Sequence, residues 1–171
     1  NKSLEDKNHV MKQLNSSNYG FYPTFEVDKF TISYNLWGGA QWPGASIDPD
    51  KNILYVTSHD LPTKFKIFSS FDINKNLELK TNLLDIGKNN KLDDLEGYPG
   101  ITPPWGSLTA LNLNSGKIIW QVPLGYFDEL KNRGLGDTGT ANFGGATATA
   151  GNLIFAGGTL DKLIRAFDSE S

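Results

Sequence analysis

Two stretches of this chain repeat one another: WPGASIDPDKNILYVTSHD, Trp42 to Asp60, and FGGATATAGNLIFAGGTLD, Phe143 to Asp161. Each opens on an aromatic residue, passes a small residue and Gly-Ala-Ser/Thr, and turns at an Asn (Asn52, Asn152). Each then continues into an apolar run, ILYV or LIFA, so each reads as a β-hairpin. Any two hairpins share turns and alternation, but here order and spacing both agree. Repeated sheet units of this kind build propellers or solenoids.

A second repeat extends the first. ALNLNSGKIIW, Ala110 to Trp120, is strand, turn and strand, and AFDSES, Ala166 to Ser171, matches its first half. Ala110 aligns with Ala166, Asn112 with Asp168 and Ser115 with Ser171. A Gly-Lys and a strand ending in Trp are expected to follow, so the chain reads as a piece of a larger protein. The expected fold is all-β, a partial β-propeller of antiparallel four-stranded blades. Strands are expected near 45–48, 53–57, 108–113 and 117–123, then near 146–150, 153–156 and 163–167. Residues 1–36 read as the end of a preceding blade or a connection. Residues 37–124 read as one blade, and 125–171 as a connection and an incomplete next blade. An insertion of about 61–105 interrupts the first blade, polar and then rich in Pro and Gly. Insertions this long in a compact blade are usually functional or an interaction surface.

Composition narrows the function. Hydrophobic residues make up 38% and charged residues 20% of 171, which fits a globular chain. Four Trp, ten Phe and 18 Gly suit a turn-rich β protein. A net charge of −3 without a Lys/Arg cluster argues against nucleic acid. With no Cys there is neither a disulfide nor a thiolate metal site. No apolar run approaches the ~18 residues of a membrane span. The opening NKSLEDKNHVMKQ is unlike a signal peptide, so if the protein is exported its signal lies outside this stretch.

The motifs carry a resemblance. The A-x-N-x-x-x-G-K-x-x-W spacing at Ala110–Trp120 resembles the tryptophan-docking repeat of the quinoprotein dehydrogenases, eight-bladed propellers that use pyrroloquinoline quinone (PQQ). GGAQWPGASIDPDKNILYV, YPGITPPWGSLTALNLNSGKIIWQVPLG and NFGGATATAGNLIFAGGTLDKLIRAFD are similar to further segments of that family, in its glucose/polyol branch. Ala146 departs from the pattern, standing where that branch usually has Pro, a change that loosens a turn and removes no chemistry.

The resemblance assigns roles. Trp120 is structural, packing flat between blades, where burial is worth ~25 cal/mol/Å². Gln41 and Trp42 precede the first strand of a blade, where the chain enters from the propeller axis. There the indole lies near a planar quinone and Gln41 donates to a quinone or carboxylate oxygen; the alternative is a buried Trp and a capping Gln. Phe143 holds the matching place in the next blade, where related methanol-oxidising enzymes have an aromatic against the quinone; the alternative is core packing. Asn142 and Gly144 complete the candidate set, with Gly144 and Gly145 allowing close backbone approach to a ligand. His59 ends a strand without a second His nearby, and His9 lies in a polar terminal stretch; neither reads as a metal ligand. Asp93 and Asp94 lack the alternation of a calcium loop, and Asp48 and Asp50 flank Pro49 in a turn.

What the resemblance implies is oxidation of a sugar, polyol or alcohol in the periplasm. PQQ sits on the axis with a calcium ion, and electrons pass to ubiquinone or a cytochrome. The catalytic Asp and most calcium ligands are expected upstream, so this piece alone would be inactive. A ring left open would also self-associate. The alternatives are a non-enzymatic PQQ-like propeller scaffold and an interaction module.

Overall fold

The computed structural model describes residues 3–26, 29–34, 39–66 and 91–170. They divide into two compact units, one drawn from 1–36 with 61–102 and one from 37–60 with 103–171. Most of the stretch expected as an insertion, 67–90, lies outside the described residues.

In the first unit, Ser3 caps α1 (Leu4–Asn15). Its hydroxyl accepts from the Asp6 N–H at 3.0 Å and donates to the Asp6 carboxylate at 2.6 Å. Glu5 and Asp6 place negative charge where the helix dipole favours it. Val10 of α1 packs with Ile32 and Leu92. β1 (Ser17–Asn18) runs parallel to β2 (Phe30–Tyr34), which pairs antiparallel with β5 (Pro62–Lys66). Lys64 Nζ donates to Gln13 Oε1, and Gln13 Nε2 donates to the Asp93 carbonyl, both at 2.8 Å.

In the second unit the sheet order is β3 (Ala40–Asp48), β4 (Ile53–His59), β6 (Gly106–Asn112), β7 (Lys117–Pro123). Every neighbour is antiparallel and follows chain order. A short helix, α2 (Asp128–Asn132), leads to a second sheet of β8 (Ala146–Ala148), β9 (Leu153–Ala156) and β10 (Arg165–Asp168), again antiparallel in chain order. These meanders are propeller blades, and the all-β partial propeller expected from the repeat is what forms.

The repeat is visible atom by atom. Asn52 and Asn152 both sit in the left-handed region, at φ 54° and 60°. The Asn52 carbonyl accepts from the Leu113 N–H and the Asn152 carbonyl from the Ser169 N–H, each at 2.9 Å. Asp48, Asn112 and Asp168 each fold their side-chain oxygen over the following turn, onto the N–H groups of Asp50 and Lys51, of Asn114 and Ser115, and of Glu170.

Several strand limits differ from expectation. β3 starts at Ala40 rather than 45, so Gln41 and Trp42 lie within the first strand and do not precede it; β4 runs on to His59, and β6 spans Gly106–Asn112. In the second sheet two limits have a local cause. β8 stops at Ala148 because the Thr149 hydroxyl turns back to the Leu153 carbonyl at 2.9 Å. β10 starts at Arg165 rather than 163, because Lys162 is left-handed at φ 61° and the Leu163 N–H donates to the Asp161 carboxylate at 3.2 Å.

The two sheets share a core of Ile53, Tyr55, Leu108, Leu124, Ile154 and Ala156. Trp120 packs against it from β7, tilted 39° to the Tyr55 ring at 5.9 Å. The β4–β6 ladder runs from Ile53↔Asn112 to His59↔Gly106, and the Asp60 N–H then bonds the Trp105 carbonyl at 3.1 Å. Gly106 must be glycine, since a Cβ there would lie 1.9 Å from the Thr140 carbonyl oxygen.

Candidate functional site

The first strands of the two blades lie side by side, with the Ala148 N–H donating to Ser46 Oγ at 2.8 Å. The peptide that leads into β8, Asn142 to Gly144, crosses the end of β4. Three successive β4 residues hold it. Thr57 Oγ1 donates to the Gly144 carbonyl at 2.8 Å, and Asn142 Nδ2 donates to the Ser58 carbonyl at 2.7 Å. His59 Nδ1 lies 3.2 Å from the Asn142 carbonyl oxygen. Its own blade adds the Phe143 N–H to the Gly158 carbonyl at 3.1 Å.

Close packing of backbone requires glycine at 144, and a tight side-chain contact disfavours a larger residue at 145. A Cβ on Gly144 would meet the Gly157 carbonyl oxygen at 2.4 Å, and one on Gly145 would meet Pro43 Cβ at 3.0 Å. The second contact puts the Phe143 segment beside the Trp42 segment. There β3 breaks register between Ala40 and Ala45, with Gly44 at φ +81°. The Trp42 side chain is left 94% exposed and Phe143 58% exposed. Phe143 touches the ring of His59 edge-on, with centroids 5.7 Å apart at 74°. Gln41 belongs to β3, but its side chain is outside what the structure describes.

Asn142 plays a different part from the two bare rings. It is fully buried, and among the described residues its Oδ1 has no hydrogen-bond partner. Such an orphaned acceptor costs about 1–3 kcal/mol. His59 is 3% exposed, and burial pulls its pKa below the ordinary imidazole value, opposed by the Asn142 carbonyl and the Asp60 charge. The ring is therefore neutral at pH 7. To bond a carbonyl it must carry its proton on Nδ1.

His59 and Thr57 were not among the residues expected at the site. The signal for them was the alternation along β4, where Ile53, Tyr55, Thr57 and His59 all face inward. A His and a Thr at core positions need partners, and here the partner is the peptide of the next blade.

Among the described residues no group of three His, Cys, Asp or Glu side chains is placed to hold a metal ion. Nor is any described helix long and apolar enough to cross a membrane.

Residues 2–171 match the family described as PQQ: glucose/ethanol/alcohol dehydrogenase, beta-propeller domain. This chain belongs to the PQQ-dependent dehydrogenase family. The probable quinate dehydrogenase (quinone) of Xanthomonas campestris pv. juglandis is 30% identical over 152 residues, 77% of this chain and 19% of that protein. The glycerol dehydrogenase large subunit of Gluconobacter thailandicus is 29% identical over 188 residues, 91% of this chain and 25% of that protein. The quinoprotein glucose dehydrogenase of Escherichia coli K12 is 24% identical over 168 residues, 86% of this chain and 21% of that protein. The PQQ-family chain thus spans about a fifth to a quarter of the length of these relatives.

PQQ is a flat fused-ring quinone. A flat apolar ring system needs flat apolar surface, and the bare rings of Trp42 and Phe143 supply it on adjoining segments. The residues of this chain therefore fit the aromatic face of the cofactor.

Proposed function

We propose that this chain forms one wall of the quinone pocket in a PQQ-dependent dehydrogenase that oxidises a sugar, polyol or alcohol. The observation that carries the reading is Trp42, an indole almost wholly bare on the first strand of a blade, beside the segment that presents Phe143. A large apolar ring left bare beside a peptide held by three β4 residues is surface a flat apolar ligand can cover. The relatives' names support the substrate class, since quinate, glycerol and glucose all carry several hydroxyl groups.

Bound PQQ supplies the two-electron acceptor for alcohol oxidation. The residues of this chain bind and orient it. Trp42 and Phe143 cover its flat surface and exclude water, and Gln41 is proposed to donate to one of its oxygens. Asn142 and Gly144 hold Phe143 in place through the β4 contacts. Neither the base that takes the substrate proton nor a complete set of calcium ligands is assigned to this chain. Calcium, a periplasmic location and transfer of electrons to ubiquinone or a cytochrome are parts of the same proposal.

The test is titration of the whole-length apo protein with PQQ in the presence of calcium. PQQ binding is followed by absorbance and by quenching of tryptophan fluorescence, then dye-coupled oxidation of glucose, glycerol, quinate and simple alcohols is measured. Saturable PQQ uptake and oxidation of at least one of these is expected. No uptake in calcium-loaded protein would overturn the reading in favour of a propeller scaffold.

A further inference from the structure

We propose that His59 is the positioning residue of this wall. As the Nδ1–H tautomer it donates to the Asn142 carbonyl and packs edge-on against Phe143, which sets where the Phe143 ring stands. The inference rests on the pocket reading above and adds to it a residue that touches no cofactor.

The argument is geometric. Phe143 is more than half exposed, so its own packing does not fix its ring; its backbone and one edge must. The peptide bond before Phe143 has its carbonyl on Asn142, and that oxygen faces His59 Nδ1 at 3.2 Å. The ring of the same imidazole meets the Phe143 ring at 5.7 Å in the edge-to-face arrangement that aromatic pairs prefer. One side chain thus holds both the backbone and the ring of the residue proposed to lie against the quinone. Thr57 and Ser58 secure the same peptide on either side, at the Gly144 carbonyl and the Asn142 amide. Of these three β4 residues, His59 is the one whose ring pairs with the Phe143 ring. Burial of the imidazole at 3% exposure makes this a rigid support rather than a surface contact.

The tautomer makes the inference sharp. An Asn side chain places an N–H at the same bond distance from its Cα as His Nδ1, whereas Gln reaches one bond farther, as His Nε2 does. His59→Asn therefore keeps the donor to the Asn142 carbonyl, His59→Gln misplaces it, and His59→Leu removes it.

The experiment measures PQQ affinity of the whole-length apo protein by tryptophan quenching, independent of turnover, beside urea denaturation of each variant. His59→Leu and Phe143→Ala are each expected to weaken PQQ binding about tenfold, and the double variant no more than either alone, because the two act through one ring. His59→Asn, which keeps the donor but loses the ring contact, is expected to recover part of the affinity and His59→Gln less. Additive losses in the double variant would overturn the proposal. So would wild-type PQQ affinity in His59→Leu, or equal affinities for the Asn and Gln variants. If His59→Leu does not fold, the comparison of Asn with Gln decides. A wild-type protein that takes up no PQQ overturns the pocket reading itself, and this inference with it.

Discussion

The indole N–H of Trp120, on the last strand of one blade, donates to the carbonyl of Ser169, in the turn after the third strand of the next, at 3.2 Å. The Tyr55 hydroxyl reaches the same oxygen at 3.3 Å. One carbonyl thus collects two donors from the neighbouring blade, and the Trp120 ring covers the shared core. Trp120→Ala should lower the unfolding free energy by about 3 kcal/mol, the low end for loss of a large core ring, because the indole is only half-buried. Trp120→Phe should lose about 1 kcal/mol, since Tyr55 still serves the oxygen. Urea midpoints measure both, and a loss below about 1 kcal/mol for the Ala variant would separate Trp120 from docking.

Trp42 should behave in the opposite way. Its ring is 94% exposed, so Trp42→Ala should leave the urea midpoint within about 0.5 kcal/mol of wild type. PQQ affinity should fall roughly 5- to 150-fold through lost apolar contact. A large stability loss with unchanged PQQ affinity would make Trp42 a structural residue.

Gly144 lies where a methyl group has no room. Gly144→Ala would bring Cβ to 2.4 Å from the Gly157 carbonyl oxygen, which backbone alone must relieve. We expect about 1–3 kcal/mol of destabilisation and a displaced Phe143, with PQQ binding weakened in parallel. An Ala variant as stable as wild type would show that the two backbones can part freely.

Asp161 supplies a pH dependence. Burial pushes its pKa up, but bonds from Arg165, Thr159 and the Leu163 and Tyr126 N–H groups outweigh that and bring it down to about 2. The folded carboxyl holds its proton more weakly than the unfolded one, so the unfolded chain binds more protons as pH falls. The contribution, about 2 kcal/mol, is complete above the unfolded pKa near 4 and is lost as pH falls toward 2. Asp161→Asn should remove it at neutral pH and flatten the acid limb of a stability-versus-pH curve. A variant with the wild-type limb would place the acid sensitivity elsewhere.

Much of the second unit was legible because its turns repeat. An Asn at the left-handed position and an Asx side chain over the next turn are local devices, and they recur at Asn52 and Asn152, and at Asp48, Asn112 and Asp168. What local pattern does not reveal is which blade residue meets which. His59 was readable as an inward polar residue by its place two after Thr57, yet its partner is 83 residues on and depends on how the blades pack. The helix in 4–15 did have a sign, Ser3 followed by Asp6 three residues later, but so short a capping signal means little without an apolar stripe, and only Val10 of that helix is buried. Trp42 and Phe143 were legible as paired positions. They stand next to the register break at Gly44 and the glycine contacts of 144 and 145, which alternation alone does not foresee.

The bond from Asp60 to Trp105 closes the blade where the chain leaves it and where it returns. Beyond that bond, the first sheet's register takes no account of how much chain intervenes. Loop-closure entropy grows only logarithmically, so doubling the intervening length costs about 0.6 kcal/mol. The pair therefore works as a socket: evolution can lengthen, shorten or exchange what is plugged in between 61 and 102 while the strands that carry Trp42 and His59 keep their alignment.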